Sequence, residues 1–334
     1  MAMTCCFGKE RSRPRPAGWW TWCVGLLIGV LIAEEAVRAA TPLPDASAQA
    51  PWTQLGDRLP ASAPPVDGAV SSAYLRRVGI IGQDRRRKLN QQELRQHSGL
   101  VAIYSKAADS EGTGFLVCDG SVVLTSAHVF FDESGNLKGP LSQFELYLRG
   151  SLGSFQRVYL DDRPGSYRVG RTTDFRRHPH EDWMLLRLNT RPNPRLFQPY
   201  KLSSENEVLN LKNEPHSDVR VIGYLNNGSW EALGATCSNF RSTKSTWQYS
   251  SGSENFYYSH DCTTEGGASG SPVILNSCQG NPRVIAIHSG GHSDFRAQFD
   301  HERPWRNNYA IPISHQILEA VRQMCGNFYS QAVC

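Results

Sequence analysis

The sequence predicts an all-β protein. Short apolar runs rich in Val, Ile, Leu, Tyr and Phe recur about every ten residues, Gly, Asn, Asp and Pro turn signals separate them, and no long helical periodicity lies between them. That spacing is the signature of a sandwich or barrel, in which every strand buries at least one face.

A first set of strands is expected at Val101–Tyr104, Gly114–Val117, Val122–Thr125, Phe144–Leu148, Tyr167–Val169 and Trp183–Leu188. A second set is expected at Val219–Gly223, Glu231–Thr236, Phe256–Ser259, Val273–Leu275, Val284–Ile287 and Tyr309–Ile313. Arg191 to Pro215 carries Pro and Asn and suits a connection between the two sets. One helix is expected over Ser314–Met324, because Ile317, Leu318, Val321 and Met324 recur at helical spacing and Ser314 can cap the start.

Upstream of the strands the composition changes. Lys9, Arg11, Arg13 and Arg15 precede an apolar run from Trp19 to Ala33, and Val37-Arg38-Ala39 follows. This has the form of an export signal over residues 1–39. The run is short for a membrane span, which needs about 20 apolar residues, so a membrane association is expected only if the signal stays uncleaved. Residues 40–77 are rich in Pro, Ala and Ser and are read as a propeptide or linker. Arg76-Arg77 and Arg85-Arg86-Arg87-Lys88 are candidate processing points or solvated basic loops. The folded domain is expected over 78–334, with its first half over about 98–190 and its second over about 216–313.

The 334-residue chain is 40% hydrophobic and 20% charged, enough apolar surface for packed cores. Its net charge is +4, half of it in the first 39 residues (five basic, three acidic), and that balance gives no case for a nucleic-acid partner. Of nine cysteines, Cys5, Cys6 and Cys23 lie in the signal. Cys118, Cys237, Cys262, Cys278, Cys325 and Cys334 form an even set, which suggests disulfides in an exported chain and leaves their connectivity open. No Cys-x-x-Cys or His-x-x-x-His spacing points to zinc, and His178-Pro179-His180 reads as a polar loop.

Three stretches carry chemistry. Gly112-Thr113-Gly114-Phe115-Leu116-Val117 leads through a turn to Val122-Val123-Leu124-Thr125-Ser126-Ala127-His128, a histidine closing an apolar strand. Asp182-Trp183-Met184-Leu185-Leu186 sets an acid before a buried strand. Gly266-Gly267-Ala268-Ser269-Gly270-Ser271-Pro272-Val273 sets a serine between glycines. A serine hydroxyl is a poor nucleophile until a base stands beside it and N–H donors face the developing oxyanion. Asp174 and Glu181 are alternative acids, though neither leads directly into the strand, and Ser271, with a proline after it, is an alternative serine.

The set of motifs, in the order His128, Asp182, Ser269, resembles the chymotrypsin-like (trypsin-like) serine peptidases over roughly residues 80–325. The resemblance implies two six-stranded antiparallel β-barrels with a C-terminal helix and the active site in the cleft between the barrels. It implies a Ser269 nucleophile, a His128 base, an orienting Asp182, and an oxyanion hole of the Gly267 and Ser269 N–H groups. It implies a peptide substrate, with neither metal nor cofactor.

The match narrows to the bacterial glutamyl-endopeptidase branch through Gly-Ala-Ser-Gly-Ser-Pro-Val followed by Ile287-His288-Ser289-Gly290-Gly291. In that branch Thr264 and His288 would receive an acidic side chain. Thr263 stands where peptidases cutting after Arg or Lys carry aspartate, Ser289 would support the catalytic aspartate, and Gly290 and Gly291 would line the substrate site. The rival expectation is a non-catalytic binding protein on the same fold, or a pocket for small or apolar residues.

The departures are informative. Ala268, not aspartate, precedes the serine, so activation by a buried new N-terminus is not available in the usual form. A mature start at Val78 could instead help receive the acidic side chain. Val129, not cysteine, follows the histidine, which leaves Cys118 to another partner or free. Cys237–Cys262 is the expected disulfide, with Cys278 to Cys325 or Cys334 the next.

Overall fold

Two β-sheets organise the chain in a computed structural model that describes residues 80–81, 83–150, 155–175, 178–204, 208, 218–224, 231–244, 256–275, 282–291 and 307–326. The export signal, the linker, Val78, Cys278 and Cys334 lie outside the described residues. Among the described residues no helix is long and apolar enough to cross a membrane.

The first sheet holds β2 (Leu100–Ser105), β3 (Ser110–Val117), β4 (Val122–Thr125), β5 (Glu145–Arg149), β6 (Phe155–Val158), β7 (Tyr167–Val169) and β8 (Met184–Arg187). All its pairings are antiparallel, in the order β6-β5-β2-β3-β4-β8-β7. A further bridge, Leu160 to Leu188, draws the chain after β6 back to the end of β8. Successive strand residues face opposite sides. Val101 and Ile103 thus join Leu116, Val123, Leu146, Leu148, Met184 and Leu186 in one core. The other face is covered as well: Phe115 packs edge-on against Tyr200. Burial on both faces is why these strands read as continuous apolar runs and not as alternation.

The second sheet holds β1 (Arg86–Lys88), β9 (Lys201–Leu202), β10 (Val219–Gly223), β11 (Leu233–Thr236), β12 (Phe240–Lys244), β13 (Phe256–His260), β14 (Pro272–Leu275), β15 (Arg283–Gly290) and β16 (Asn308–Pro312). The order is β1-β11-β10-β14-β15-β16-β13-β12, antiparallel except that β9 runs parallel beside β15.

The sheets therefore have seven and nine strands among the described residues, where six each were expected. The additions are short or polar. β6, β9 and β12 carry too little apolar pattern to stand out. β1 is the basic run itself: Arg85–Lys88 is not a solvated loop, because Arg86, Arg87 and Lys88 pair with Ala235, Gly234 and Leu233.

Two helices with described bounds flank the sheets. Helix α1 (Gln91–Gln96) starts on a capping box, with Glu93 N–H donating to the Asn90 side chain and Asn90 N–H to that of Glu93. Helix α2 (His315–Cys325) is capped by Ser314 and buries Ile317, Leu318, Val321, Met324 and Cys325. It follows the last strand of the second sheet yet is tied to the first. Arg187 in β8 donates to the Met324 carbonyl at 2.7 Å, and Cys325 is disulfide-bonded to Cys118 at the end of β3. Cys325 therefore does not pair with Cys278. The expected Cys237–Cys262 bond is present.

Candidate active site

Sheet register brings the histidine and the acid together. β4 pairs with β8 so that Thr125 faces Met184. His128 lies in the 3-10 turn Ala127–Val129 just after β4, and Asp182 closes the turn Pro179–Glu181 just before β8. His128 donates its backbone N–H to Asp182 Oδ1 at 2.8 Å, and its Nδ1 lies 2.6 Å from Asp182 Oδ2. Asp182 is 1% exposed, and Ser289 donates a third hydrogen bond from its hydroxyl to Oδ2. Three donors offset the cost of burying a carboxylate. Glu181, the alternative acid, faces away: it accepts from Arg171 N–H at 2.7 Å and Gln316 Nε2 at 3.0 Å.

Two consecutive tight turns between β13 and β14 present the serine. Ala268 N–H donates to the Glu265 carbonyl at 3.0 Å and Ser271 N–H to the Ala268 carbonyl at 2.9 Å. The third residues of these turns, Gly267 and Gly270, have φ of +87° and +88°. A turn with positive φ at its third position selects glycine. Ser269 sits between them with Oγ 2.7 Å from His128 Nε2 and 3.2 Å from the Ser289 carbonyl. Asp182, His128 and Ser269 thus form one continuous hydrogen-bonded chain. Among the described residues, neither Gly267 nor Ser269 spends its N–H on another acceptor.

Thr113 of β3 holds this loop. Its hydroxyl donates to the Gly267 carbonyl at 2.7 Å, and its N–H donates to the Ser269 carbonyl at 2.8 Å. The hydroxyl also accepts from Tyr224 N–H at 3.1 Å. Thr113 stands inside a motif quoted from the sequence, but only strand pairing places it under the serine loop.

The backbone of β15 joins both halves. The His288 carbonyl accepts from Gly270 N–H at 2.7 Å and from the Ser126 hydroxyl at 3.1 Å. The His288 side chain is buried, with Nδ1 3.1 Å from Nε2 of His260. Burial, then the neighbouring His260 and His128, hold the His288 imidazole well below its ordinary pKa. Burial pushes His260 down to about 4. Both rings are therefore neutral near pH 7.

The expected pocket residues separate. Thr264 is buried. The Thr263 hydroxyl accepts from Arg85 N–H at 3.2 Å and donates to the Gln83 carbonyl at 3.3 Å. Thr263 is engaged by the chain's own upstream segment, not turned to an open pocket. Gly290 ends β15 beside Tyr309, and an added Cβ on Gly291 would meet Asn308 Oδ1 at 1.9 Å. Cys237, His260 and Cys262 have ligand atoms within 4.8 Å of one another, but the two sulfurs are joined in a disulfide, which leaves no thiolate for a metal. His178 precedes the turn before Asp182 and His180 lies within it, with His180 Nε2 3.4 Å from Glu181 Oε1.

Comparison with solved structures finds the same fold in a Glu endopeptidase in complex with MPD, at 14% identity and TM-score 0.52, covering 74% of this chain and 100% of that one. A secreted serine protease, VesC from Vibrio cholerae, aligns at 15% identity and TM-score 0.48, covering 69% of this chain and 46% of that one. No curated protein sequence matches. The trypsin-like peptidase domain matches residues 112–287, just over half of the chain and the span that contains His128, Asp182 and Ser269. The chain belongs to the trypsin-like peptidase family.

Proposed function

We propose that the chain is an exported serine endopeptidase that cuts peptide bonds through an acyl-enzyme. The observation that carries this reading is the unbroken chain from Asp182 through His128 to the Ser269 hydroxyl, beside two N–H groups with no other acceptor among the described residues. With Nδ1–H donated to Asp182, Nε2 is free to take the serine proton as Oγ attacks the scissile carbonyl. The carbonyl oxygen, now negative, is received by the Gly267 and Ser269 N–H groups. Asp182 stabilises the imidazolium, which then protonates the leaving amine. Water deacylates the enzyme by the same route in reverse. The test is hydrolysis of a peptide library by the purified protein beside Ser269→Ala. A loss on the order of 10^5–10^6-fold in kcat is expected. Equal hydrolysis by the two proteins would end the reading, as would failure of a serine-directed organophosphorus reagent to label Ser269.

The proposed specificity is for Glu or Asp at the cleaved bond. Thr264 and His288 support it: a hydroxyl and a neutral imidazole can both donate to a carboxylate. His288→Val is expected to lower kcat/KM for Glu substrates at least 100-fold while changing Ala substrates little. A wild-type preference for Arg or Lys would exclude this pocket chemistry. The signal at 1–39 supports export, and the linker at 40–77 supports a segment removed or left as a tether. Mass and N-terminal sequence of the secreted protein decide between these.

A further inference from the structure

The stretch from Asp261 to Glu265 leads into the turn that displays Gly267, and it is gripped from one side. The Arg85 guanidinium reaches Asp261 Oδ2 at 3.4 Å. The backbone of Gln83 and Arg85 holds both sides of the Thr263 hydroxyl. Arg86 Nη1 meets Glu265 Oε2 at 2.5 Å, while its Nη2 meets Asp84 at 2.6 Å. The contacts fall on residues 261, 263 and 265, every second position, as along an extended chain. The intervening Cys262 is tied the other way, to Cys237.

Glu265 is the first residue of the turn whose third residue is Gly267, through the Ala268 N–H to Glu265 C=O bond. Its side chain is 21% exposed and that of Arg86 13%, so the pair is shielded from solvent more than a surface ion pair is. Arg86 is itself fixed by the pairing of β1 with β11. These contacts use internal backbone and side chains and require no free N-terminus. They supply a brace in a chain where Ala268 offers no carboxylate to a buried ammonium.

We propose that Arg86 is a positioning residue for this site, holding through Glu265 the turn that aims the Gly267 N–H. The proposal rests on the peptidase reading for its kinetic consequence. The test compares wild type, Arg86→Gln, Arg86→Lys, Glu265→Gln and the Arg86→Gln/Glu265→Gln pair in the full chain. Readouts are kcat and KM on a peptide from the library, and hydrogen exchange of the amides at 265–270. Arg86→Gln is expected to lower kcat about 10-fold with KM within twofold, and to speed exchange at 265–270 while β2 to β5 stay protected. Arg86→Lys should recover most of both effects, and the pair should lose no more than either single variant. Wild-type kcat and exchange in Arg86→Gln would overturn the proposal, as would a uniform rise in exchange over both sheets. If wild type shows no Ser269-dependent hydrolysis, the peptidase reading falls, and exchange at 265–270 alone decides whether Arg86 holds the turn.

Discussion

Gly267 and Gly270 are residues at which one added carbon would disturb the serine loop. A Cβ on Gly267 would stand 2.7 Å from the Tyr224 carbonyl oxygen, at a φ of +87° that L-residues rarely adopt. Strain of this kind costs on the order of 1–3 kcal/mol. The N–H it displaces is a candidate oxyanion donor, and losing one such donor costs about 10^2–10^3 in kcat. Gly267→Ala is therefore expected to lose about 100-fold or more in kcat with KM nearly unchanged, in steady-state kinetics on a good peptide. A KM effect alone would show that the loop binds substrate without stabilising the transition state. The glycines, the serine, His128 and Asp182 were all legible in the sequence, because residue types and order suffice to point to them. The role of Thr113 is not legible in the same way, although it lies in the Gly112–Val117 motif. Its two hydrogen bonds to the serine loop span about 150 residues, and nothing local to Thr113 signals them.

The elements divide the same way. Strands buried on both faces, such as β2, β4 and β15, were readable from composition alone, and the Ser314 cap placed α2 to within a residue. β1 was not, since Arg-Arg-Lys has no apolar pattern and its strand character comes from a partner edge at β11. Helix α1 did carry a local signal, Asn90 followed by Glu93 three residues on. The Cys118–Cys325 bond was hidden for another reason: its cysteines are 207 positions apart, and only the docking of α2 against β8 brings them together. Closing so long a loop removes much unfolded-state freedom. Cys118→Ala/Cys325→Ala is expected to lose about 2–4 kcal/mol in urea denaturation. Peptidase activity at 25 °C should persist, since neither cysteine touches the triad. An unchanged urea midpoint would mean that helix packing alone holds the C-terminus.

At the scale of the whole molecule, several buried titratable groups set its acid limit. Burial, then Arg220, pushes His97 down to about 4, and burial does the same for His260. His288 is also held well below its ordinary value. Each stays neutral when folded and takes up a proton near 6.5 when unfolded, so the unfolded chain binds more protons below that pH. Stability is complete above about pH 6.5 and declines as pH falls toward 4, by roughly 1.4 kcal/mol per pH unit for each histidine at most. Glu93 adds a second, lower step. Its hydrogen bond from Arg87 leads the causes that hold it to about 2 against an ordinary 4.5, so its contribution is lost only as pH falls from 4.5 toward 2. Urea unfolding at pH 7.5, 6 and 5 should show stability falling across the series, and His97→Asn should flatten the slope by about one proton. Equal stability at pH 7.5 and 5 would rule out neutral burial of these rings.

The carbonyl of His288 has a consequence for how such a chain can diversify. It receives both Gly270 N–H from the serine loop and the Ser126 hydroxyl from the histidine turn. The distance between base and nucleophile is thus set partly by a peptide oxygen that every amino acid carries. The side chain at 288, which the proposed pocket presents to substrate, is free to change without touching that oxygen. A library randomised at this one position should sample new cleavage preferences while the catalytic register is inherited intact.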